Sequence, residues 1–81
     1  MSAVTVQLFA SYADLVGTSS IDVPIRPGDC VADLLRNLRS LPSASTLPAS
    51  LRVAVNQVFA GDRTVVQSGD EVALIPPVAG G

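Results

Sequence analysis

The chain has no lysine and no histidine, one cysteine, one tyrosine and two phenylalanines among its 81 residues. The missing histidine removes the commonest general acid/base and metal ligand. Cys30 alone forms no internal disulfide and, with no histidine anywhere, has no obvious catalytic base. A single thiol suits a reducing compartment, so the cytoplasm is the expected location. No constellation of side chains resembles an active site, and no metal set is expected. Five arginines face seven acids, for a net charge of −2. They form no basic patch of the kind that binds nucleic acid. Apolar runs fall short of the roughly 18–20 residues that cross a membrane. No basic segment followed by an apolar one opens the chain as a signal peptide would. Ser68-Gly69-Asp70 lacks the glycine spacing and the lysine of a phosphate loop and reads as a turn.

What is present is a chain with enough apolar residues to fold, at 48% of the total. A chain this short buries roughly 60% of its unfolded surface, enough for one modest core. The stretch AVTVQLFA alternates: Val4, Val6 and Leu8 share one face, Thr5, Gln7 and Phe9 the other. It predicts a first strand. A helical turn over Tyr12 to Val16 and a turn at Gly17 lead to a second strand, SIDVPI, in which Ile21, Val23 and Ile25 are in step. Pro24 donates no ladder hydrogen bond and marks an edge.

RPGDCVADLLRNLRSLP predicts a helix with Asp29 or Cys30 at its N-cap. Val31, Leu34, Leu35, Leu38 and Leu41 form its apolar stripe, and Pro42 ends it. PSASTLPAS reads as a surface loop. A third strand places Leu51, Val53 and Val55 on one face, with a tight turn at Asn56-Gln57 and a short return through VFA. The last strand runs from Glu71 to Ile75, with Val72 and Leu74 opposing Ala73 and Ile75. Asp70 and Glu71 read as a solvated turn.

Runs of strands around one main helix predict an α+β domain, a β-grasp with a mixed sheet covered on one face. Residues 1–75 are expected to form the domain and 76–81 a flexible C-terminal tail ending in Gly80-Gly81. With Val4, Val6 and Leu8 turned inward, Phe9 points outward, and Ile75 does the same on the last strand. Phe9, Ile75 and Phe59 are then expected to share an exposed apolar patch that docks a partner at the root of the tail. Pro76 and Pro77 fix φ near −65° and stiffen that root. Glycine has no Cβ and lets the backbone approach closely at the tip.

AVNQ (54–57), SGDEVALIPP (68–77), VAGG (78–81) and the N-terminal FASYADLVG together resemble the small subunit of molybdopterin synthase, the MoaD family, over nearly the whole chain. Two positions depart from the family pattern: Ala13-Asp14 stands where Arg-Glu is usual, and Leu74-Ile75 where an aromatic pair is common. The resemblance implies a ubiquitin-like sulfur carrier whose working group is the Gly81 carboxylate. A MoeB-like enzyme, akin to ubiquitin-activating enzymes, adenylates that group with ATP and Mg. A sulfur donor converts the adenylate to a thiocarboxylate. The tail then enters a MoaE-like large subunit and gives sulfur to cyclic pyranopterin monophosphate, building the dithiolene of molybdopterin. The chain itself is expected to bind no cofactor. Partner contacts fall on Phe9, Phe59, Ile75, Pro76, Pro77, Val78, Ala79 and Gly80. Alternatives are a sulfur carrier for thiamine or cysteine biosynthesis, a ubiquitin-like modifier attached to lysines, and an interaction module with an inert tail.

Overall fold

The alternation of the first residues is realised as β1 (Ser2–Leu8), in which Val4, Val6 and Leu8 are buried while Thr5 and Gln7 face solvent. The structure is a computed structural model and describes residues 2–48 and 50–76. The chain leaves β1 through Ala10, whose φ of 46° is left-handed. It then forms α1 (Ala10–Val16), a longer helix than the turn expected there. Gly17, at φ 89°, caps α1 in the left-handed conformation, and its N–H donates to the carbonyl of Ala13. β2 (Ser20–Ile25) returns antiparallel to β1, so that Val4 faces Val23 and Val6 faces Ile21.

α2 (Val31–Arg39) buries Val31, Leu34 and Leu38, while Leu35 and Leu41 pack partly against the same core. Of the two N-cap candidates the structure selects Cys30. The physical reason is that the Asp29 carboxylate is engaged upstream, accepting from the Arg26 N–H at 2.9 Å across the Pro27-Gly28 turn. Two of the donors at the start of α2 have partners in another segment: Val31 N–H reaches the Thr64 carbonyl at 2.9 Å and Ala32 N–H the Asp62 carbonyl at 3.0 Å. The Asn37 amide donates to the Pro24 carbonyl at 2.8 Å, tying α2 to the edge strand.

The segment expected as a surface loop is corrected by the structure. Pro42–Ala44 forms a single 3-10 turn, and Ala44 and Leu47 are buried in the core cluster. β3 (Arg52–Val55) and β4 (Val58–Ala60) form a hairpin, and β5 (Val72–Ile75) begins one residue later than expected. The five strands lie in the order β2-β1-β5-β3-β4. β5 is parallel to β1 and antiparallel to β3, so the last strand occupies the middle of the sheet. Pro24 sits, as its missing N–H requires, on edge strand β2. One sheet face holds the core with α2, and the other remains for the site.

Candidate functional site

On the outer face the two-residue period brings together residues that are far apart in sequence. Gln7 faces Ala73 across β1 and β5, Ala73 faces Ala54 across β5 and β3, and Ala54 faces Phe59 across β3 and β4. This row crosses four strands, and its middle is made of two alanines. Their small side chains form the floor of a groove. Phe9, Phe59 and Ile75 stand above it, with Gln7, Gln57 and Glu71 on its polar rim. Phe9 is 47% exposed and Phe59 63% exposed, while Ile75 is half-buried. The three apolar residues singled out from the sequence therefore meet in one place, on the surface and outside the core.

Arg52 lies beside Ile75 in the β3–β5 register, and its guanidinium sits over the Phe59 ring, 5.2 Å from the centroid. That contact has the distance of a cation–π interaction and helps fix the exposed ring. Ala54, Ala73 and Arg52 were not identified from the sequence as part of the site. The signal was available: the period that turns Phe9 and Ile75 outward turns these residues outward too.

The far end of the groove is built by the Asn56-Gln57 turn. Both residues have left-handed φ, 52° and 71°. Two such residues between paired Val55 and Val58 make the tight hairpin turn that the twist of two strands favours. Asparagine tolerates this region well, whereas glutamine takes it at a cost of about 1–2 kcal/mol. The Asn56 side chain joins the turn to the start of β5. Its carbonyl accepts from the Glu71 N–H at 3.0 Å, and its amide donates to Asp70 at 3.2 Å. Asn56 N–H also donates to the Glu71 carbonyl at 2.7 Å. The Asp70 carboxylate further accepts from the Gln67 N–H at 2.8 Å. Asp70, read from the sequence as solvated, is thus held in place, and AVNQ and SGDEV meet through one asparagine.

Cys30 serves α2: its N–H and thiol both donate to Asp33, at 3.1 and 3.4 Å. Pro76, at the end of the described chain, is half-buried. The expectations placed on Pro77, Val78, Ala79, Gly80 and Gly81 lie outside the described residues. Among the described residues no helix is long and apolar enough to cross a membrane.

Comparison with known proteins agrees with this architecture. The model of the ThiS family matches residues 6–81. The molybdopterin synthase sulfur carrier subunit of Dictyostelium discoideum is 39% identical over 80 residues, covering 91% of each chain. The Arabidopsis thaliana protein of the same name is 30% identical over 79 residues, covering 96% of this chain and 82% of that one. Among solved structures, SAMP1 (small archaeal modifier protein 1) from Haloferax volcanii superposes with a TM-score of 0.82 at 28% identity, over 99% of this chain and 100% of that one. A likeness of fold alone, at 20% identity and a TM-score of 0.69, links the chain to the complex of subunits 1 and 2 of the molybdopterin-converting factor from Helicobacter pylori 26695, covering 98% of this chain and 99% of that one.

Proposed function

Because the chain belongs to the ThiS family, we propose that it is the sulfur-carrier subunit of a molybdopterin synthase, with Gly81 as the group that carries sulfur. The observation that supports this reading best is the exposed apolar groove at the foot of β5, from which the chain continues to Gly80-Gly81. A carrier needs both parts: a face that docks, and an end that reaches. Residues 76–81 span at most about 20 Å when fully extended, so the groove must dock within that distance of the partner's reactive centre.

The chemistry follows from the carboxylate. It is a poor electrophile until the terminal oxygen attacks the α-phosphorus of ATP and pyrophosphate leaves. The resulting acyl-adenylate has AMP as its leaving group, and a sulfur donor displaces it to give the thiocarboxylate. ATP and Mg belong to the adenylating enzyme, and the pyranopterin to the large subunit. In each transfer the thiocarboxylate sulfur bonds to a carbon of cyclic pyranopterin monophosphate and water cleaves its bond to the Gly81 carbonyl, which returns the carboxylate; two transfers complete the dithiolene. Glycine at the tip leaves no side chain to crowd the carbonyl carbon. The location consistent with this role is the cytoplasm.

The test is a chain extended by one residue after Gly81, and a chain lacking Gly81. Both are expected to fold as the parent does, yet to gain no mass corresponding to one oxygen replaced by sulfur when incubated with the adenylating enzyme, ATP and sulfur donor. Normal dithiolene formation by an untrimmed extended chain would refute the assignment.

The likeness to a modifier protein favours a second reading, in which the same acyl-adenylate is attacked by an amine of another protein. This chain has no lysine of its own, so every isopeptide bond would use the target's lysine.

A further inference from the structure

The groove has an electrical direction. At one end the Arg52 guanidinium rests on Phe59. At the other, Glu71 stands on the rim beside the Asn56-Gln57 turn. In register Arg52 faces Ile75 and Val55 faces Val72, so Glu71 lies at the level of Asn56, four residues along β3 from Arg52. At 3.2–3.4 Å per residue that separation is about 13 Å. That is the spacing of the two backbones; the Arg52 side chain leans over Phe59, which is paired with Ala54, and no ion pair joins it to Glu71. Among the described residues neither Glu71 nor Arg52 has an ion-pair partner. Asp70 adds to the negative end: its two hydrogen-bond donors, the Gln67 N–H and the Asn56 amide, are both neutral. The remaining rim residues, Gln7 and Gln57, are uncharged.

We infer that the groove selects and orients its partner by this polarity. Its occupant is a protein surface that places an apolar side chain over Ala54 and Ala73, a lysine or arginine against Glu71, and an aspartate or glutamate against Arg52. This rests on the docking reading above and specifies the partner's chemistry. The apolar floor is the same whichever way a partner lies across it, so the floor alone leaves the direction of β5 undetermined. The two charges remove that ambiguity. The favoured orientation pairs both, and the reverse sets like charges together, which suppresses wrong docking as well as speeding right docking. The polarity thereby fixes which way β5 runs across the partner.

The experiment measures association of the chain with the purified large subunit of the same organism's molybdopterin synthase, over a range of sodium chloride. Variants are Glu71→Gln, Arg52→Gln, Arg52→Lys, the double reversal Glu71→Arg with Arg52→Glu, and Phe59→Asp. Thermal melts accompany each. Glu71→Gln and Arg52→Gln are each expected to slow association roughly tenfold at low salt and to flatten its salt dependence. Arg52→Lys, which keeps the charge, should retain the salt slope. The double reversal should bind worse than either single change, since it turns the polarity against the partner. If Phe59→Asp abolishes binding while the two neutral variants bind with unchanged rate and salt slope, the polarity inference is overturned and the docking reading stands. If folded Phe59→Asp binds as the parent does, the docking reading fails and this inference with it. If the parent self-associates through this face, and the double reversal retains a self-association that the two neutral variants lose, the occupant is a second copy of the chain and the inference is wrong.

Discussion

Asp33 works twice at the start of α2. Its carboxylate accepts from the Cys30 N–H at 3.1 Å and from the Cys30 thiol at 3.4 Å, and it lies 3.3 Å from the Arg36 guanidinium. The Cys30 hydrogen bonds, the backbone one first, and the Arg36 charge hold its pKa below the ordinary carboxylate value, against a smaller opposing effect of desolvation. The sign follows directly. Between the folded and unfolded pKa values the unfolded chain binds more protons, so stability rises with pH across that window. Asp33's contribution is complete above the ordinary carboxylate value and is lost as pH falls through the lower folded one. Asp33→Asn should therefore lower the urea midpoint at neutral pH, and the gap to the parent should close below about pH 4. A gap independent of pH would show that the charge contributes nothing. At this scale the sequence was half legible. An acid in the first turn of a helix is a recognisable pattern, and so is a pair of cap candidates. What decided between Asp29 and Cys30 was a hydrogen bond to Arg26, which depends on a turn geometry that no residue spacing reveals.

Elements with a strict period were legible before the fold was seen, because burial on one side repeats every second residue in a strand and at helical spacing in α2. β1, β2, β3, β5 and α2 all belong to this class. The segment from Pro42 to Pro48 does not. Its small residues and prolines have the composition of a loop, and its two buried anchors, Ala44 and Leu47, follow no strand period. Nothing local separates such a segment from a solvated one; only the space left beside α1 and α2 does. Leu47→Ala tests the point. Leu47 is 6% exposed, so the substitution should cost about 2–4 kcal/mol in urea denaturation, as for buried leucines. A loss within about 0.5 kcal/mol, typical of surface positions, would return the segment to a surface loop. The groove was legible in its walls and not in its floor. Phe9 and Ile75 stand out as large apolar residues on a polar face, while Ala54 and Ala73 matter because they are small.

The whole molecule divides its apolar residues between two faces of one sheet. One face is closed by α2 into a core, and the other carries the groove. Phe9→Arg and Ile75→Arg, made singly, are expected to weaken binding to the large subunit or the adenylating enzyme by about 1–2 kcal/mol, the scale of an interface hot spot. The thermal midpoint should move little. Loss of the fold, with normal binding by whatever remains folded, would assign these residues to the core instead. The sheet order has a consequence for how the protein is made. β5 is the last strand in sequence and the middle one in space, and its Val72 and Leu74 are fully buried. Synthesis delivers the N-terminal part first, so β1–β2 and β3–β4 emerge as two separate hairpins with no shared sheet. Only the arrival of residues 72–75 can join them into one sheet, by pairing β5 with both β3 and β1, and the β1 pairing spans most of the chain and is therefore slow to form. A nascent chain stalled short of that point, or one clipped by a protease ahead of Ile75, has neither the strand nor a finished core. A folded molecule thus vouches for its own C-terminal strand, and unfolded fragments that lack it are open to degradation before they can occupy a partner.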